Sequence, residues 1–266
     1  MDLGLTGKTV VVTGGSKGIG YAAAEAFLKE GARVAICSRH EEELKKAAET
    51  LSQYGPVYYE AYDVVDAESN YRFAEHVNEK FGSLDVWVNN VGVSAPKKGY
   101  EYDDEEIDFM TGVCFKSVVY GCQAAFRYMK KQHSGAIVNV SSLAARCPSA
   151  GRSTLYGPLK SAINNLTNTF AGEYCPYNVR VTCIMPGFTL TPAVKQTISP
   201  EELSMNTQAT LLRSAAMPEE IARPIVFLAS SAASYMTAAT IEVSGGRSMT
   251  LNPSFAYDRL AAAENR

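Results

Sequence analysis

Short β-branched apolar runs alternate with amphipathic stretches along the chain, and this alternation limits the possible folds more than any other feature. The apolar runs lie at residues 9–14, 33–38, 57–63, 84–90, 135–142, 179–187 and 240–246. Stretches of helical length lie between them, at 19–29, 41–54, 67–81, 104–131, 156–173 and 219–228. Alternating strands and helices imply parallel strands joined by right-handed crossovers, and continuous apolar runs are typical of strands covered on both faces. We therefore predict an α/β fold in which residues 1–266 form a single domain, a doubly wound (Rossmann-type) parallel sheet of about seven strands with helices on both faces.

Two segments interrupt the alternation. Residues 188–217 separate the sixth apolar run from the next amphipathic stretch and are much longer than an ordinary connection, so we predict a substrate loop there. Residues 247–266 follow the last run as a C-terminal tail, which either hangs loose or packs on a neighbouring subunit.

Composition excludes several classes of function. The net charge of −3 argues against binding to nucleic acid, and no apolar run approaches the roughly 20 residues of a membrane helix. The N-terminus has no basic segment followed by a long apolar one, as a signal peptide would. The six cysteines are scattered without a CxxC pattern, which favours free thiols in a reducing cytoplasm, and the three histidines lack metal-ligand spacing. We predict a cytoplasmic protein with no metal, nucleic-acid or membrane partner.

A glycine-rich turn, TGGSKGIG at 13–20, follows the first apolar run and opens the first amphipathic stretch. Glycines let the backbone approach a pyrophosphate, and the free N–H groups of a helix N-terminus favour its negative charge. A tight strand-to-helix turn alone would also explain the pattern, but its place in the first turn favours a dinucleotide site. The residues of this loop that we predict to bind the cofactor are Gly14, Ser16, Lys17, Gly18, Ile19 and Gly20.

The end of the second run favours NADP(H) over NAD(H). Ser38 stands where an NAD site would carry a carboxylate, and Arg39 follows it. Together with Lys17, Arg39 could bind a 2′-phosphate, although both could also be ordinary solvated charges. At the end of the third run, Asp63 could bind the adenine amino group or merely start a turn, and Val64 follows it in the predicted cofactor site.

A tyrosine and a lysine four residues apart, Tyr156 and Lys160, are candidates for acid/base chemistry. Pro158 fits the first turn of a helix, where its missing N–H costs nothing, so the two side chains share one helix face. An unperturbed tyrosine is protonated at neutral pH, and a nearby cation favours its phenolate. Ser142, at the carboxyl end of the fifth run, could hydrogen-bond a substrate oxygen.

Five motifs in order resemble the classical short-chain dehydrogenase/reductase family: TGGSKGIG, NNVG (89–92), VNVSS (138–142), YGPLK (156–160) and PGFTLT (186–191). The resemblance covers residues 7 to about 247. It implies an NADP(H)-dependent alcohol dehydrogenase or ketoreductase in which Tyr156 is the general acid/base, Lys160 supports it and binds the nicotinamide ribose, and Ser142 orients the carbonyl. It further implies a homotetramer or homodimer built on helices 104–131 and 156–173. The additional cofactor contacts that it implies are Asn90, Gly92, Tyr156, Pro186, Gly187, Thr189 and Thr191.

One position departs from the family pattern. Cys114 occupies the place of an asparagine that, in the family, holds a water linking the lysine to solvent. A thiol is a weak hydrogen-bond donor and acceptor and cannot take over the hydrogen bonds of an amide. Either another group rebuilds the relay, or the enzyme is slow, or the chain has become an NADP(H)-binding scaffold or sensor. We interpret Cys114 as a structural thiol rather than a nucleophile.

The substrate is predicted to be an apolar ketone or alcohol. The helix after Tyr156 and the tail are similar to those of bacterial hydroxysteroid (bile-acid) dehydrogenases, and the predicted substrate loop is rich in apolar residues. These residues could instead simply pack the loop. The alternatives are a 3-oxoacyl thioester reductase and a polyol or sugar dehydrogenase.

Overall fold

The computed structural model describes residues 2–93, 101–147, 154–247, 249–250 and 252–264. Seven strands form one sheet in the order β3-β2-β1-β4-β5-β6-β7, and every pair is parallel. The chain order reverses direction between β1 and β4, which opens a crevice at the carboxyl edge of the sheet. The predicted fold class is confirmed. The strands are β1 Thr9–Thr13, β2 Arg33–Ser38, β3 Val57–Ala61, β4 Val86–Asn89, β5 Gly135–Val140, β6 Val179–Pro186 and β7 Thr240–Val243.

Helices cover both faces of this sheet. One face packs against α1, α2 and α9, and the other packs against α3, α5 and α6. Strands β1 and β4 are buried along their whole length, which is why they read as unbroken apolar runs. The helices are α1 Gly18–Lys29, α2 Glu41–Leu51, α3 Ala67–Phe81, α4 Asp104–Thr111, α5 Ser117–Gln132, α6 Tyr156–Tyr174, α7 Pro192–Thr197, α8 Pro200–Gln208, α9 Pro218–Ala229 and α10 Phe255–Glu264.

The helix predicted at 104–131 contains a π-helical turn in its interior. This turn, Gly112–Lys116, separates α4 from α5 and contains Cys114. One extra residue per turn shifts the faces of the two helices relative to each other, and such turns are frequent at functional sites.

The predicted substrate loop and tail both contain helices. Helices α7 and α8 lie within 188–217, where the sequence indicated only a long connection. The tail carries α10, on which no described residue is buried. Three hydrogen bonds join the described residues of tail and loop: the Arg213 guanidinium donates to the Pro253 carbonyl at 3.3 Å, the Tyr257 hydroxyl donates to the Leu211 carbonyl, and the Arg247 guanidinium donates to the Asn206 side-chain oxygen at 2.8 Å. The tail therefore packs on the substrate loop of its own chain.

The described residues contain neither a membrane-spanning helix nor a cluster of metal ligands. No helix among them is long and apolar enough to cross a membrane. Within the same residues, no group of three or more His, Cys, Asp or Glu side chains could hold a metal ion.

Candidate active site

The glycine-rich turn joins the end of β1 to the start of α1. Gly14 has φ +67°, a left-handed conformation that glycine adopts without strain, and its N–H donates to the Cys37 carbonyl at 2.9 Å. A Cβ atom on residue 20 would lie 2.3 Å from the Gly14 carbonyl oxygen, so only glycine lets α1 start this close to the strand. The turn thus places the N-terminus of α1 at the crevice, as a bound pyrophosphate requires.

Asn90 fixes the opposite side of the crevice. Its side-chain amide donates to the Thr13 carbonyl at 3.0 Å, and its backbone N–H donates to the Thr13 hydroxyl at 3.0 Å. These bonds tie the end of β4 to the end of β1 on either side of the reversal in strand order. A Cβ atom on residue 18 would lie 3.4 Å from the Thr191 methyl, so the substrate loop also reaches the glycine-rich turn.

The residues predicted to select the cofactor lie at the end of β2 and in the glycine-rich turn. Ser38 is half-buried, and its hydroxyl donates to the His40 carbonyl at 3.4 Å. Arg39 is exposed and forms no ion pair with any residue that the structure describes. Lys17 is also exposed, but its amine is paired with the Glu43 carboxylate at 3.4 Å. The sequence-based prediction did not include Glu43, although it lies four residues after Arg39.

Asp63 lies two residues beyond β3 rather than at its end. Its carboxylate accepts from the Val65 N–H at 3.2 Å, and its carbonyl accepts from the Asp66 N–H at 3.1 Å. The residue therefore starts a turn, which was the simpler of its two interpretations, and contact with adenine stays a prediction. Val64 is buried, at 5% exposure, in the core beneath α3.

Tyr156 and Lys160 lie together at the start of α6. Lys160 is 2% exposed, and its amine donates to the Val140 carbonyl at the end of β5, at 2.9 Å. The same amine lies 5.7 Å from the centre of the Tyr156 ring. A Cβ atom on residue 92 would lie 2.7 Å from the Lys160 amine, so Gly92 leaves the space that the amine occupies. The helix begins at Tyr156, as the position of Pro158 predicts.

Ser142 follows β5 and begins a short 3₁₀ turn, Leu143–Ala145. Its hydroxyl oxygen accepts from the Ala144 N–H at 3.2 Å, which orients the group and leaves its own proton to donate. Helix α6 packs against this turn. The Ser161 hydroxyl donates to the Ala145 carbonyl, and a Cβ on residue 157 would lie 2.9 Å from the Ala144 carbonyl oxygen. Gly157 is thus needed for close packing of α6 on the turn.

Cys114 is fully buried in the π-helical turn, and its thiol donates to the Val93 carbonyl at 3.2 Å. Val93 directly follows Gly92, so this contact holds the segment that packs on the Lys160 amine. The geometry fits the structural interpretation of Cys114.

The start of the substrate loop is fixed to β7. The Gly187 N–H donates to the Val243 carbonyl at 2.9 Å, and a Cβ on residue 187 would lie 2.7 Å from the Ser244 Cα. Further along, the Thr189 hydroxyl donates to the Gly187 carbonyl at 3.2 Å, and Thr191 caps α7 by accepting from Val194. Pro186, the last residue of β6, leads this segment to the carboxyl edge where the other candidate residues lie.

Sequence reasoning missed Ser141 and the Val140 carbonyl. The Ser141 hydroxyl donates to the Lys160 carbonyl at 2.9 Å, so this serine is bonded to the backbone of α6, whereas Ser142 accepts from the turn that follows β5. The VNVSS motif carried this signal, because two hydroxyls at the end of a buried strand both need partners. A backbone carbonyl has no sequence signal of its own.

Two thiols near the site are held neutral. Burial raises the pKa of Cys37, below the glycine-rich turn, to about 12. Burial also raises the pKa of Cys183 to about 11, and the positive charge of Lys160 opposes this only in part. Since the thiolate is the reactive form, neither thiol acts as a nucleophile at neutral pH.

Known proteins resemble this chain in sequence and in fold. Residues 6–248 match a family model described as enoyl-(acyl carrier protein) reductase. The chain is 35% identical to the 3-oxoacyl-(acyl-carrier-protein) reductase FabG of Chlamydia pneumoniae over 252 residues, covering 92% of this chain and 99% of that protein. It is 33% identical to the 3alpha-hydroxysteroid dehydrogenase of Mediterraneibacter gnavus over 249 residues, covering 92% and 98%. The crystal structure of L-sorbose reductase from Gluconobacter frateurii, in complex with NADPH and L-sorbose, superposes with a TM-score of 0.87 at 32% identity, covering 94% of this chain and 100% of that one.

The chain therefore belongs to the classical short-chain dehydrogenase/reductase family, as its motifs indicate. It is an oxidoreductase, and its cofactor is a nicotinamide dinucleotide. The glycine-rich turn at the N-terminus of α1 fits the pyrophosphate of that cofactor.

Proposed function

We propose that this enzyme interconverts a ketone and a secondary alcohol with NADP(H), and that Tyr156 is its general acid/base. The observation that carries the proposal is the buried Lys160 amine, held by the Val140 carbonyl beside the Tyr156 ring and against Gly92. Burying the amine of a lysine costs folding free energy, so its position next to the Tyr156 phenol supports a role in the chemistry of that phenol.

The nicotinamide, when bound, gives or takes the hydride. In the reductive direction, the Tyr156 hydroxyl gives its proton to the substrate oxygen, while the positive charge of Lys160 stabilises the phenolate left behind. Ser142 donates its hydroxyl proton in a hydrogen bond to the same oxygen. In the oxidative direction, the Tyr156 phenolate takes the proton of the alcohol. Asn90, Gly92, Pro186, Gly187, Thr189 and Thr191 complete the proposed cofactor site.

The cofactor is proposed to be NADP(H) because the end of β2 offers Ser38 and Arg39 and no carboxylate. The planar guanidinium of Arg39 is suited to a phosphate and is not engaged with any described carboxylate. Arg39→Asp should invert the preference of the enzyme from NADP to NAD in steady-state assays. Wild-type preference for NAD would contradict this assignment.

The substrate is proposed to be an apolar ketone of the hydroxysteroid class. Eight apolar side chains of the substrate loop are half-buried or exposed although the enzyme has a full core, which is typical of a surface that covers an apolar ligand. Met205 and Leu212 are 61% and 72% exposed. The eight residues are Phe188, Leu190, Val194, Ile198, Leu203, Met205, Leu211 and Leu212.

A 3-oxoacyl thioester is the second candidate substrate, favoured by the likeness to the FabG proteins over more than nine tenths of the chain. The structural likeness to L-sorbose reductase similarly supports a polyol or sugar substrate. These candidates differ in polarity and in the group that carries the ketone.

A substrate panel distinguishes the candidates. NADPH oxidation is followed with 3-oxo- and 7-oxo-bile acids, a 3-oxoacyl thioester and L-sorbose, each at a range of concentrations. We expect the largest kcat/KM with an oxo-bile acid. A kcat/KM at least tenfold higher with the thioester or the sugar would contradict the steroid assignment while leaving the reductase chemistry intact. No oxidation with any ketone despite tight NADPH binding would contradict the proposed chemistry itself.

A homotetramer or homodimer built on α5 and α6 is also proposed. The Phe126 and Tyr174 rings stack across these helices at 3.7 Å between centres, and Phe170 stacks on Tyr174 at 4.9 Å. Tyr174 is buried, whereas Phe126 and Phe170 are half-buried beside it, and aromatic side chains are enriched at subunit interfaces. Light scattering coupled to size exclusion should give two or four chains, and a monomer at micromolar concentration would contradict the proposal. The cytoplasmic location stays a prediction.

A further inference from the structure

An ion pair lies beside the proposed 2′-phosphate site. The Lys17 amine and the Glu43 carboxylate are 3.4 Å apart, and their side chains are 59% and 55% exposed. Lys17 is the residue just before α1, in the glycine-rich turn, and Glu43 lies in the first turn of α2. An exposed pair of this kind is weak and exchanges easily with other partners.

The backbone places this pair at the cofactor. The N–H groups of Gly14 and Gly15 donate to the Cys37 carbonyl at 2.9 Å and 3.2 Å, so the glycine-rich turn is bonded to the end of β2. Arg39 and then α2 follow directly from that strand. Lys17, Arg39 and Glu43 therefore border the same end of the crevice, where the adenosine ribose lies in a doubly wound dinucleotide site.

The charges at this end oppose one another. Lys17 and Arg39 favour a 2′-phosphate, whereas the first turn of α2 carries Glu41, Glu42 and Glu43. The N-terminus of α2 would attract an anion through the helix dipole, and these three carboxylates offset that attraction. Glu43 alone also engages one of the two cations. To bind Lys17, the 2′-phosphate must therefore displace the Glu43 carboxylate.

We infer that Glu43 is a specificity-determining residue, because its carboxylate competes with the 2′-phosphate of NADP(H) for Lys17. The inference rests on the proposed NADP(H) preference. A phosphate of nearly two negative charges draws Lys17 away from the carboxylate, whereas the neutral ribose hydroxyl of NAD(H) leaves the ion pair in place. Glu43 therefore weakens the binding of NADPH selectively and moderates the discrimination between the two cofactors.

The test compares dissociation constants for NADPH and NADH, measured by fluorescence titration of the full chain. Glu43→Gln should tighten NADPH binding threefold to tenfold and change NADH binding less than twofold. Glu42→Gln is the matched control, since it removes the same charge from the same helix turn without touching Lys17. It should change NADPH binding less than twofold.

A double-mutant cycle separates competition for Lys17 from general repulsion. In a Lys17→Gln background, Glu43→Gln should have no larger effect than Glu42→Gln. An advantage of Glu43→Gln that persists in this background would overturn the inference. The inference would also be overturned if the wild type prefers NADPH but Glu43→Gln and Glu42→Gln change its dissociation constant for NADPH equally. In that case the NADP(H) proposal would remain and only the role of Glu43 would fall. A wild type that binds NADH more tightly would overturn the cofactor proposal and this inference with it.

Discussion

Lys160 is buried at the point where β5, α6 and the segment after β4 meet. Its amine has the Val140 carbonyl as a hydrogen-bond partner, and Gly92 leaves it room. A lysine is almost never buried without a partner, and burying its charge is costly. The spacing of Tyr156 and Lys160 predicted their common face, but neither the burial of the amine nor its carbonyl partner could be predicted. Both depend on β5 and α6 meeting in three dimensions.

Replacing Lys160 with Met should lower kcat at least 100-fold, because it removes the charge that supports the Tyr156 phenolate. Methionine has a similar length and suits an apolar cavity, so far-UV circular dichroism should stay unchanged. Lys131→Met, at an exposed position near the end of α5, is the control and should retain kcat within twofold. A Lys160→Met enzyme with wild-type kcat would contradict the proposed role.

His76 on α3 should titrate above its ordinary pKa of about 6.5. Its ring nitrogen is 2.8 Å from the Glu60 carboxylate, and this hydrogen bond, helped by the negative charges of Glu79 and Glu75, raises the pKa. The protonated form is favoured in the folded state, so the pair stabilises the fold fully below pH 6.5 and loses this effect as the pH rises through the folded pKa. Solvent exposure keeps the energy small.

The His76 pKa can be read from NMR titration of the histidine ring protons. Glu60→Gln should move the pKa down toward 6.5, whereas Glu68→Gln, at the start of the same helix, should leave it nearly unchanged. An identical pKa in wild type and Glu60→Gln would rule out the pair.

The elements of the central sheet could be predicted well, and those around the site less well. Buried strands are unbroken apolar runs, and their ends were right to within three residues. The π-helical turn at Gly112–Lys116 was not predicted, because one extra residue in a helix barely disturbs its periodicity. Helices α7 and α8 were also missed, although Thr191-Pro192 and Ser199-Pro200 are strong start signals. The length of the segment had favoured an irregular loop.

The tail and the substrate loop should open together. Arg213 joins them: its guanidinium donates to the Pro253 carbonyl and lies 4.4 Å from the centre of the Tyr257 ring, while within the loop it also donates to the Gln208 carbonyl. Arg213→Ala removes all three contacts at once. Amide exchange in residues 255–264, followed by mass spectrometry, should become at least threefold faster.

Arg259→Ala is the control for this change, because Arg259 is an exposed residue of α10 and forms no hydrogen bond or ion pair with a described residue of the loop. Amide exchange in α10 of the Arg259→Ala variant should match that of the wild type. If Arg213→Ala leaves exchange in α10 unaltered, the contacts seen in the structure do not hold the tail.

At the scale of the whole molecule, the parallel order of the sheet gathers residues from distant parts of the chain. The ends of β1, β4, β5 and β6 all reach one edge, so the five motifs meet although about 170 residues separate the first from the last. This convergence could be predicted from topology alone. The packing of α10 on the substrate loop could not, because the tail contains no periodic apolar face that would indicate its partner.

Four of the six cysteines lie in the core of the molecule, so the packing of the core predicts which thiols a reagent can label. Cys175 is exposed, whereas Cys37, Cys114, Cys122 and Cys183 are buried. Burial raises the pKa of Cys37 and Cys122 to about 12, so both inaccessibility and protonation protect them. Iodoacetamide should label Cys175 within minutes in the native enzyme and the four buried thiols only in denaturant. Mass spectrometry of digests gives each rate, and native labelling of Cys37 or Cys122 would contradict the packing.

The central claim is that Tyr156 moves the proton while other residues bind the cofactor. The most direct test is stopped-flow mixing of the enzyme–NADPH complex with the best ketone from the panel, comparing wild type with Tyr156→Phe. We expect the variant to bind NADPH with a dissociation constant within threefold of wild type and to oxidise it at least 100-fold more slowly. Oxidation by Tyr156→Phe at the wild-type rate would contradict the proposed role of Tyr156.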